Sequence, residues 1–420
     1  MSAASPEHRP PAPRNLYAFG ITSFFNDTAS ELAYWVLPAF LVSLGAGPAQ
    51  LGLIEGIAES VASLAKLFSG YVTDRIERRK PLVVGGYFVA NAVKPVLAIV
   101  TSWWHILLIR FADRLAKGVR GAPRDVMVAE TVGKDGLGSA YGMIQSLDSA
   151  GAIAGPLMAL LLLRHFGIRT VFLAAAVPGA LSVAVAGFGI RETKNASLFT
   201  NPGEDLPRNQ RQAGHGKTFP VPEQKNAPRG YFVAGSGVTI PFCLVLTAVT
   251  LFSVGNSSDM FLVMRAQNVG ISVSLAPLLG LVFNITYTLG SWPAGWLSDH
   301  SSRRWIAAAG YLIFAAVYFV FGRAHSTIAI WITMAVYGIY YALTQPVLKA
   351  LILDTVAQEV RGRALGIYFF STSVATFAAS LITGELWKHY GPSIPFYVSA
   401  GLAVVSALML MMSAVQSKTT

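Results

Sequence analysis

The chain has 420 residues, of which 53% are hydrophobic and only 13% charged, with a mean hydropathy of +0.52. Soluble domains carry about a quarter charged residues, so this composition excludes an ordinary water-soluble fold. The formal charge of +11 reads as Lys and Arg concentrated on the cytoplasmic loops of a membrane protein, not as a nucleic-acid surface.

Residues 1–15 form a tail with Pro10, Pro11 and Pro13 and no signal-peptide cleavage pattern. Twelve apolar stretches follow. A spanning helix needs about 20 predominantly apolar residues, and lipid admits only helices or closed barrels. These runs far exceed the roughly 10-residue alternating strands of a barrel, so helices are expected. The first six spans are placed at 16–45, 50–73, 82–101, 104–124, 138–164 and 169–190. The second six are placed at 240–264, 274–297, 305–322, 327–350, 363–387 and 393–414. The fold class is therefore an all-α membrane protein with 12 transmembrane helices in two pseudo-symmetric six-helix bundles, 16–190 and 231–414. Between them residues 191–230, polar and rich in Pro and Gly, read as a cytoplasmic linker. Residues 415–420 form a short C-terminal tail.

Loop charge sets the expected orientation. With the N-terminus inside, eleven Lys and Arg fall on inner loops, Arg120 and Arg124 among them, against five outside, including Arg265. Both termini and the linker are then cytoplasmic, in a bacterial inner membrane. The halves are also related in sequence. Glu130 to Gly142 aligns with Asp354 to Gly366 at an offset of 224, and the same offset carries Gly167 onto Gly391. Gly70 and Asp74 recur at 225 as Gly295 and Asp299. A shared offset over distant segments signals duplication, a common construction of secondary transporters.

Polar residues interrupt the apolar stretches in a pattern. The first span holds Asn26, Asp27 and Glu31, the second Glu55, Glu59 and Lys66, and the third Lys94. The fourth carries Arg110, Asp113, Arg114 and Lys117 at spacings of three or four, hence on one helical face. Intramembrane charge costs several kcal/mol, so this face must look onto the bundle interior or a wet cavity. Gln145 and Asp148 follow in the fifth span, Asn256 and Asp259 in the seventh, Asn284 in the eighth and Gln345 in the tenth. The candidate substrate cavity is formed by Glu59, Lys94, Arg110, Lys117, Gln145, Asp148, Asn256, Asp259, Asn284 and Gln345. The aromatics Tyr34, Trp35, Tyr287, Trp292, Tyr337, Tyr340 and Tyr341 are further candidates for lining it, although such residues more often pack.

Three motifs carry a family resemblance. Gly70-Tyr-Val-Thr-Asp74-Arg75-Ile-Glu-Arg78-Arg79-Lys80 resembles the major facilitator loop pattern G-x-L-a-D-R-x-G-R-R, with Glu77 in place of a glycine. A degenerate copy runs from Gly295 through Asp299. Arg114 to Ala122 is similar to that superfamily's fourth-helix pattern R-x-x-Q-G-x-G-x-A, with Lys117 replacing the glutamine. Gly151-Ala-Ile-Ala-Gly155-Pro156 resembles the fifth-helix motif of drug-efflux antiporters, without its trailing glycine pair.

The resemblance implies the major facilitator fold and a gating latch of Gly70, Asp74, Arg75, Arg78, Asp125, Gly295 and Asp299. In it Asp74 meets the start of the eleventh helix near Arg363, and Arg78 is placed to pair with Asp125. It puts Arg114 where an arginine is linked to proton coupling. With Asp27, Glu31 and Asp113, this completes the expected proton-coupling set. Burial and a nearby arginine act oppositely on a carboxylate's proton affinity, and both change between two conformations. Glu31 or Asp113, modulated by Arg114, is the expected proton site.

No metal-ligand spacing, nucleophile elbow or Walker loop is found, and Cys243 is the only cysteine. The expectation is a non-enzyme without metal or cofactor, powered by a proton gradient and acting as a monomer in the bilayer on a small molecule. Efflux by proton antiport leads. Proton-coupled symport for uptake is the second reading, and a receptor or scaffold the alternative from another class. The mixed charges suggest a zwitterionic or polyfunctional organic cargo.

Overall fold

A computed structural model describes residues 14–73, 75–76, 78–132, 137–192, 240–356 and 361–419. All regular structure among them is helical. Twelve passes cross the molecule. In the first half they are α1 Arg14–Tyr34 with α2 Leu37–Ser43, α3 Pro48–Thr73, and α4 Lys80–Val93 with a 3₁₀ turn at Pro95–Ile99. The remaining three are α5 Trp103–Val132, α6 Leu137–Phe166, and α7 Ile168–Ala174 with α8 Ala176–Gly189. The second half has α9 Ile240–Gly255 with α10 Met260–Val269, α11 Ala276–His300, α12 Arg303–Arg323, α13 Thr327–Asp354, α14 Arg361–Tyr390 and α15 Ile394–Thr419.

The breaks have local causes. Proline lacks an N–H, and its ring clashes with the carbonyl four residues back. Pro38 and Pro178 stand four residues after Tyr34 and Ala174, where α1 and α7 end. Lys94 precedes Pro95, a position that disfavours continued helix, and α4 ends at Val93. The seventh pass contains no proline at its break. It opens at Asn256-Ser257-Ser258 after Gly255, residues that favour caps and turns over helix interiors.

Four described glycines have positive φ: Gly45 (76°), Gly167 (80°), Gly270 (114°) and Gly391 (86°). They form two pairs, 45 with 270 and 167 with 391, each at a turn on the face opposite the chain ends. This conformation suits residues without a Cβ, so duplication copied the turns along with the helices. On the face bearing the chain ends, called here the terminal face, Asn15 and Arg191 exchange hydrogen bonds of 3.0 and 2.8 Å, tying the start of α1 to the residue after α8.

Nine passes are long and apolar enough to cross a membrane by length and composition. The other three among the described residues, α1 with α2, α3 and α5, carry most of the intramembrane charge. Large apolar groups such as Phe188 and Leu289 face outward (87% and 72% exposed), as lipid contact requires. The fourth pass departs from expectation. It continues past residue 124 to Val132, with Pro123 inside the helix, so Arg120 and Arg124 belong to it and not to a loop. Arg265 is likewise buried in α10, donating to the carbonyls of Phe321, Gly322 and Ala324 at 3.0–3.2 Å. Eleven less two and five less one still leave the excess of loop charge on the terminal face.

The halves meet through α3 against α14, α6 against α11 and α2 against α10. Away from the chain ends this contact is tight. A Cβ at Gly52 would strike the Ser380 carbonyl, one at Gly384 would lie 2.6 Å from the Pro48 oxygen, and one at Gly280 would enter the Trp35 ring. At the other ends of the same two helices, Gly70 and Gly366 have nothing within 4 Å. Phe68 and Tyr71 there are 67% and 63% exposed. The molecule is closed at the far face and splayed at the terminal face.

Candidate functional site

Between the halves lies a cavity of about 310 Å³, lined from α1, α3, α5, the α4 break, the α9–α10 break and α11. Its walls carry five carboxylates, Asp27, Glu31, Glu59, Asp113 and Asp259, and five cations, Lys94, Arg110, Arg114, Lys117 and Arg120. A second cavity of about 290 Å³ shares Asn26, Asp27, Lys117 and Arg120 with it, and extends toward the terminal face past Lys66, Arg124, Asp125 and Asp148.

The charges are ordered. Glu55 and Arg110 form a two-point pair, Nε and Nη2 each donating at 2.9 Å, with the Glu55 side chain 1% exposed. The Ser258 hydroxyl, from the opposite half, donates to the same carboxylate at 3.0 Å. Asp113 sits 3.9 Å from Arg110 and 3.6 Å from Lys94. Lys94 donates to Asn91 (3.0 Å), Asn91 to Asn26 (3.2 Å) and Asn26 to Asp27 (2.9 Å). An unbroken polar chain thus runs from the interface of the halves to α1. Beside it Arg114 pairs with Glu59 at 3.1 Å. Buried polar groups cost free energy unless bonded, and this arrangement meets that requirement for all but a few. Arg114 Nε and Arg120 Nη1 have no hydrogen-bond partner. Arg120 stacks over the Tyr87 ring at 4.1 Å.

Three of the carboxylates have no cation within 4 Å among the described residues: Asp27, which accepts from Asn26 at 2.9 Å, Glu31 and Asp259. Glu31 accepts a hydrogen bond from the Trp35 indole at 2.7 Å. Asp259 accepts from Tyr337 at 2.6 Å and from Tyr341 at 3.2 Å. Behind Asp259, Tyr341 packs edge-on to Phe283 with ring centroids 5.0 Å apart, and Tyr337 lies tilted to it at 5.7 Å. Tyr287 stacks on Phe283 at 5.9 Å.

Gly151, Gly155 and Pro156 lie on α6, and they bear on the site indirectly. A Cβ on Gly151 would strike the Phe24 carbonyl, and one on Gly155 would lie 2.7 Å from the Thr28 oxygen and 2.9 Å from Glu31 Cβ. The glycines let α6 press its backbone onto α1 at the level of Asp27 and Glu31.

The cavity gathers Glu59, Lys94, Arg110, Lys117, Asp259 and Asn284 as expected, with Tyr34 and Trp35, while Asp148 lines the lower one. Gln145 and Gln345 are exposed and line neither. Asn256 stands behind the wall, donating to the Tyr340 hydroxyl at 3.4 Å. Arg120 was missed as a lining residue because it was counted with the inner-loop charges, although it falls within the expected fourth span. The signal was present, since 120 continues the spacing of 110, 113, 114 and 117. Ser258 had no signal, because only the fold brings it to Glu55.

The latch differs from expectation. Asp74 lies outside the described residues, as do the side-chain surroundings of Gly295, Asp299, Trp292 and Arg363. The Arg78–Asp125 pair does not form: Arg78 is exposed and Asp125 is 3.1 Å from Arg124. The preceding loop turns Arg79 inward instead, to Glu130 on α5, and Glu192 accepts from the Arg79 amide at 2.9 Å. Arg75 lies over the Tyr71 ring. The second half repeats the Arg79–Glu130 pair, at the 224 offset, as Arg303–Asp354 at 2.6 Å.

A charged cavity between two duplicated six-helix halves, closed at one face and open at the other, is the architecture of a membrane transporter. The chain matches the Major Facilitator Superfamily over residues 19–262 and 230–419, and it belongs to that family. It is 31% identical over 406 residues to the uncharacterized MFS-type transporter MJ1317 of Methanocaldococcus jannaschii, covering 95% of this chain and 94% of the relative. It is 30% identical over 164 residues to the multi-drug resistance efflux pump PmrA of Streptococcus pneumoniae, covering 38% and 40% of the two chains. Among solved structures, a POT family transporter in complex with 5-aminolevulinic acid superposes with a TM-score of 0.73 at 12% identity, covering 96% and 97%. The protein is a multi-pass membrane transporter and not an enzyme.

Proposed function

We propose that the protein exports a small organic molecule across the plasma membrane in exchange for protons, with both termini cytoplasmic and Glu31 as the proton carrier. In that orientation the splayed terminal face is the inward-open state. The observation that carries the reading is the contrast between two buried carboxylates. Protonating Glu31 breaks no ion pair, because its hydrogen-bond donor is the neutral Trp35 indole. Protonating Asp113 would leave Lys94 and Arg110 without its charge. Arg114, paired to Glu59, lines the same cavity as Glu31 and modulates it there. The efflux direction is supported by the partial likeness to PmrA and by the packing of Gly151 and Gly155 against α1 at the proton site.

The test is proton movement in energised inside-out vesicles during addition of a chemically varied compound panel. The expected result is compound-dependent collapse of the internal acid gradient, lost in Glu31→Gln and reduced but measurable in Asp113→Asn. Full coupling in Glu31→Gln would remove Glu31 from the role. Silence across the panel with folded protein would favour symport uptake.

A further inference from the structure

The opposing walls of the cavity differ in kind. Every cation lining it belongs to the first half; the second half contributes Asp259, Phe283 and Asn284. Five cations face five carboxylates, and a sixth carboxylate, Glu55, backs Arg110. No cation lines the second-half wall, where the Asp259 carboxylate has only neutral tyrosine hydroxyls as hydrogen-bond partners among the described residues.

A structural role for this carboxylate would be to cap α10, since it occupies the N-cap position. It makes no side-chain cap bond. The carboxylate turns from the helix end to Tyr337 and Tyr341 and opens on the cavity, with the rings of Tyr341, Phe283 and Tyr287 packed in sequence beside it. A carboxylate among aromatic rings is the environment that holds an organic ammonium: the charge supplies attraction at the centre and the ring faces add cation–π binding around it. A buried, unpaired charge is costly, and a cationic ligand relieves that cost where an anion would add to it.

We infer that Asp259, walled by Phe283 and Tyr341, is the recognition site for the cationic group of an aromatic or alkyl amine, which makes organic cations the cargo class. The inference deepens the export reading above and rests on it for its meaning in transport, but binding itself needs no gradient and is tested separately. The probe is benzyltrimethylammonium, titrated calorimetrically into the purified full-length protein in lipid nanodiscs, with benzenesulfonate as the anion of similar size. The wild type and Cys243→Ser are expected to bind the cation alike and the anion not measurably. Asp259→Asn is expected to weaken cation binding at least tenfold, and Asp259→Glu to retain it within about fivefold. Phe283→Ala is expected to fall between them. Absence of cation binding by the wild type, equal binding by monodisperse Asp259→Asn, or preference for benzenesulfonate would each overturn the assignment. Cation binding without any proton exchange would uphold it and count against the antiport reading alone.

Discussion

Glu55 and Arg110 face each other at the depth where the two halves touch, and each is close to fully buried. Removing one partner of such a pair leaves an uncompensated charge in a low-dielectric site, at a cost of about 3–5 kcal/mol, whereas replacing both is close to neutral. Arg110→Met should therefore lower stability by about that amount, and Glu55→Gln/Arg110→Met should recover most of it. Thermal unfolding of the detergent-solubilised variants checks this. The double variant should still transport poorly, because Ser258 loses the carboxylate it donates to across the interface. The same logic sorts the cavity carboxylates: Asp113 and Glu59 belong to ion pairs, while Asp27, Glu31 and Asp259 have none among the described residues.

At the level of the helix, Gly155 links sequence to site most directly. Its missing side chain lets α6 approach α1 beside Glu31. Gly155→Val would force the helices apart; overpacking of this kind costs about 1–3 kcal/mol. The expected outcome is a folded protein whose proton-coupled transport drops at least tenfold, read in vesicles alongside Gly187→Val on α8, where a Cβ meets nothing within 4 Å. The twelve helices and the polar face of α5 were legible in sequence because lipid imposes length and apolarity while charge must turn inward. The break of α1 was not read, although Pro38 marks it, because apolarity continues through it. The latch partner was misassigned by one position, from Arg79 to Arg78. A loop has no periodicity to say which of two adjacent arginines turns in. Whether an acidic residue would be ion-paired or free was also beyond the sequence, since that depends on contacts between passes such as 94 with 113 and 55 with 110.

For the whole molecule, the tight far-face contact of α3 with α14 must open if the cavity is to be reached from that side. Ser60 donates to the Ser373 carbonyl at 3.4 Å near the middle of this contact. In a Cys243→Ser background, Ser60→Cys with Ser373→Cys should join under mild oxidation and arrest transport, and a reductant should restore it. Transport that continues while the two helices are joined would mean that α3 and α14 need not separate.

The duplication that produced the far-face turns and the Arg79–Glu130 and Arg303–Asp354 ion pairs did not preserve the cavity. At the 224 offset Asp113 and Lys117 become Tyr337 and Tyr341, and at the 225 offset of the first far-face turn Tyr34 becomes Asp259. Two walls of the first-half kind set against each other would bring cation against cation across the binding space. Phenol hydroxyls on one side avoid that repulsion and give the binding space a polarity from one wall to the other. The two halves thereby stopped being interchangeable: a chain of two first halves, although built on the same frame, would have no aromatic wall for a cargo to rest on.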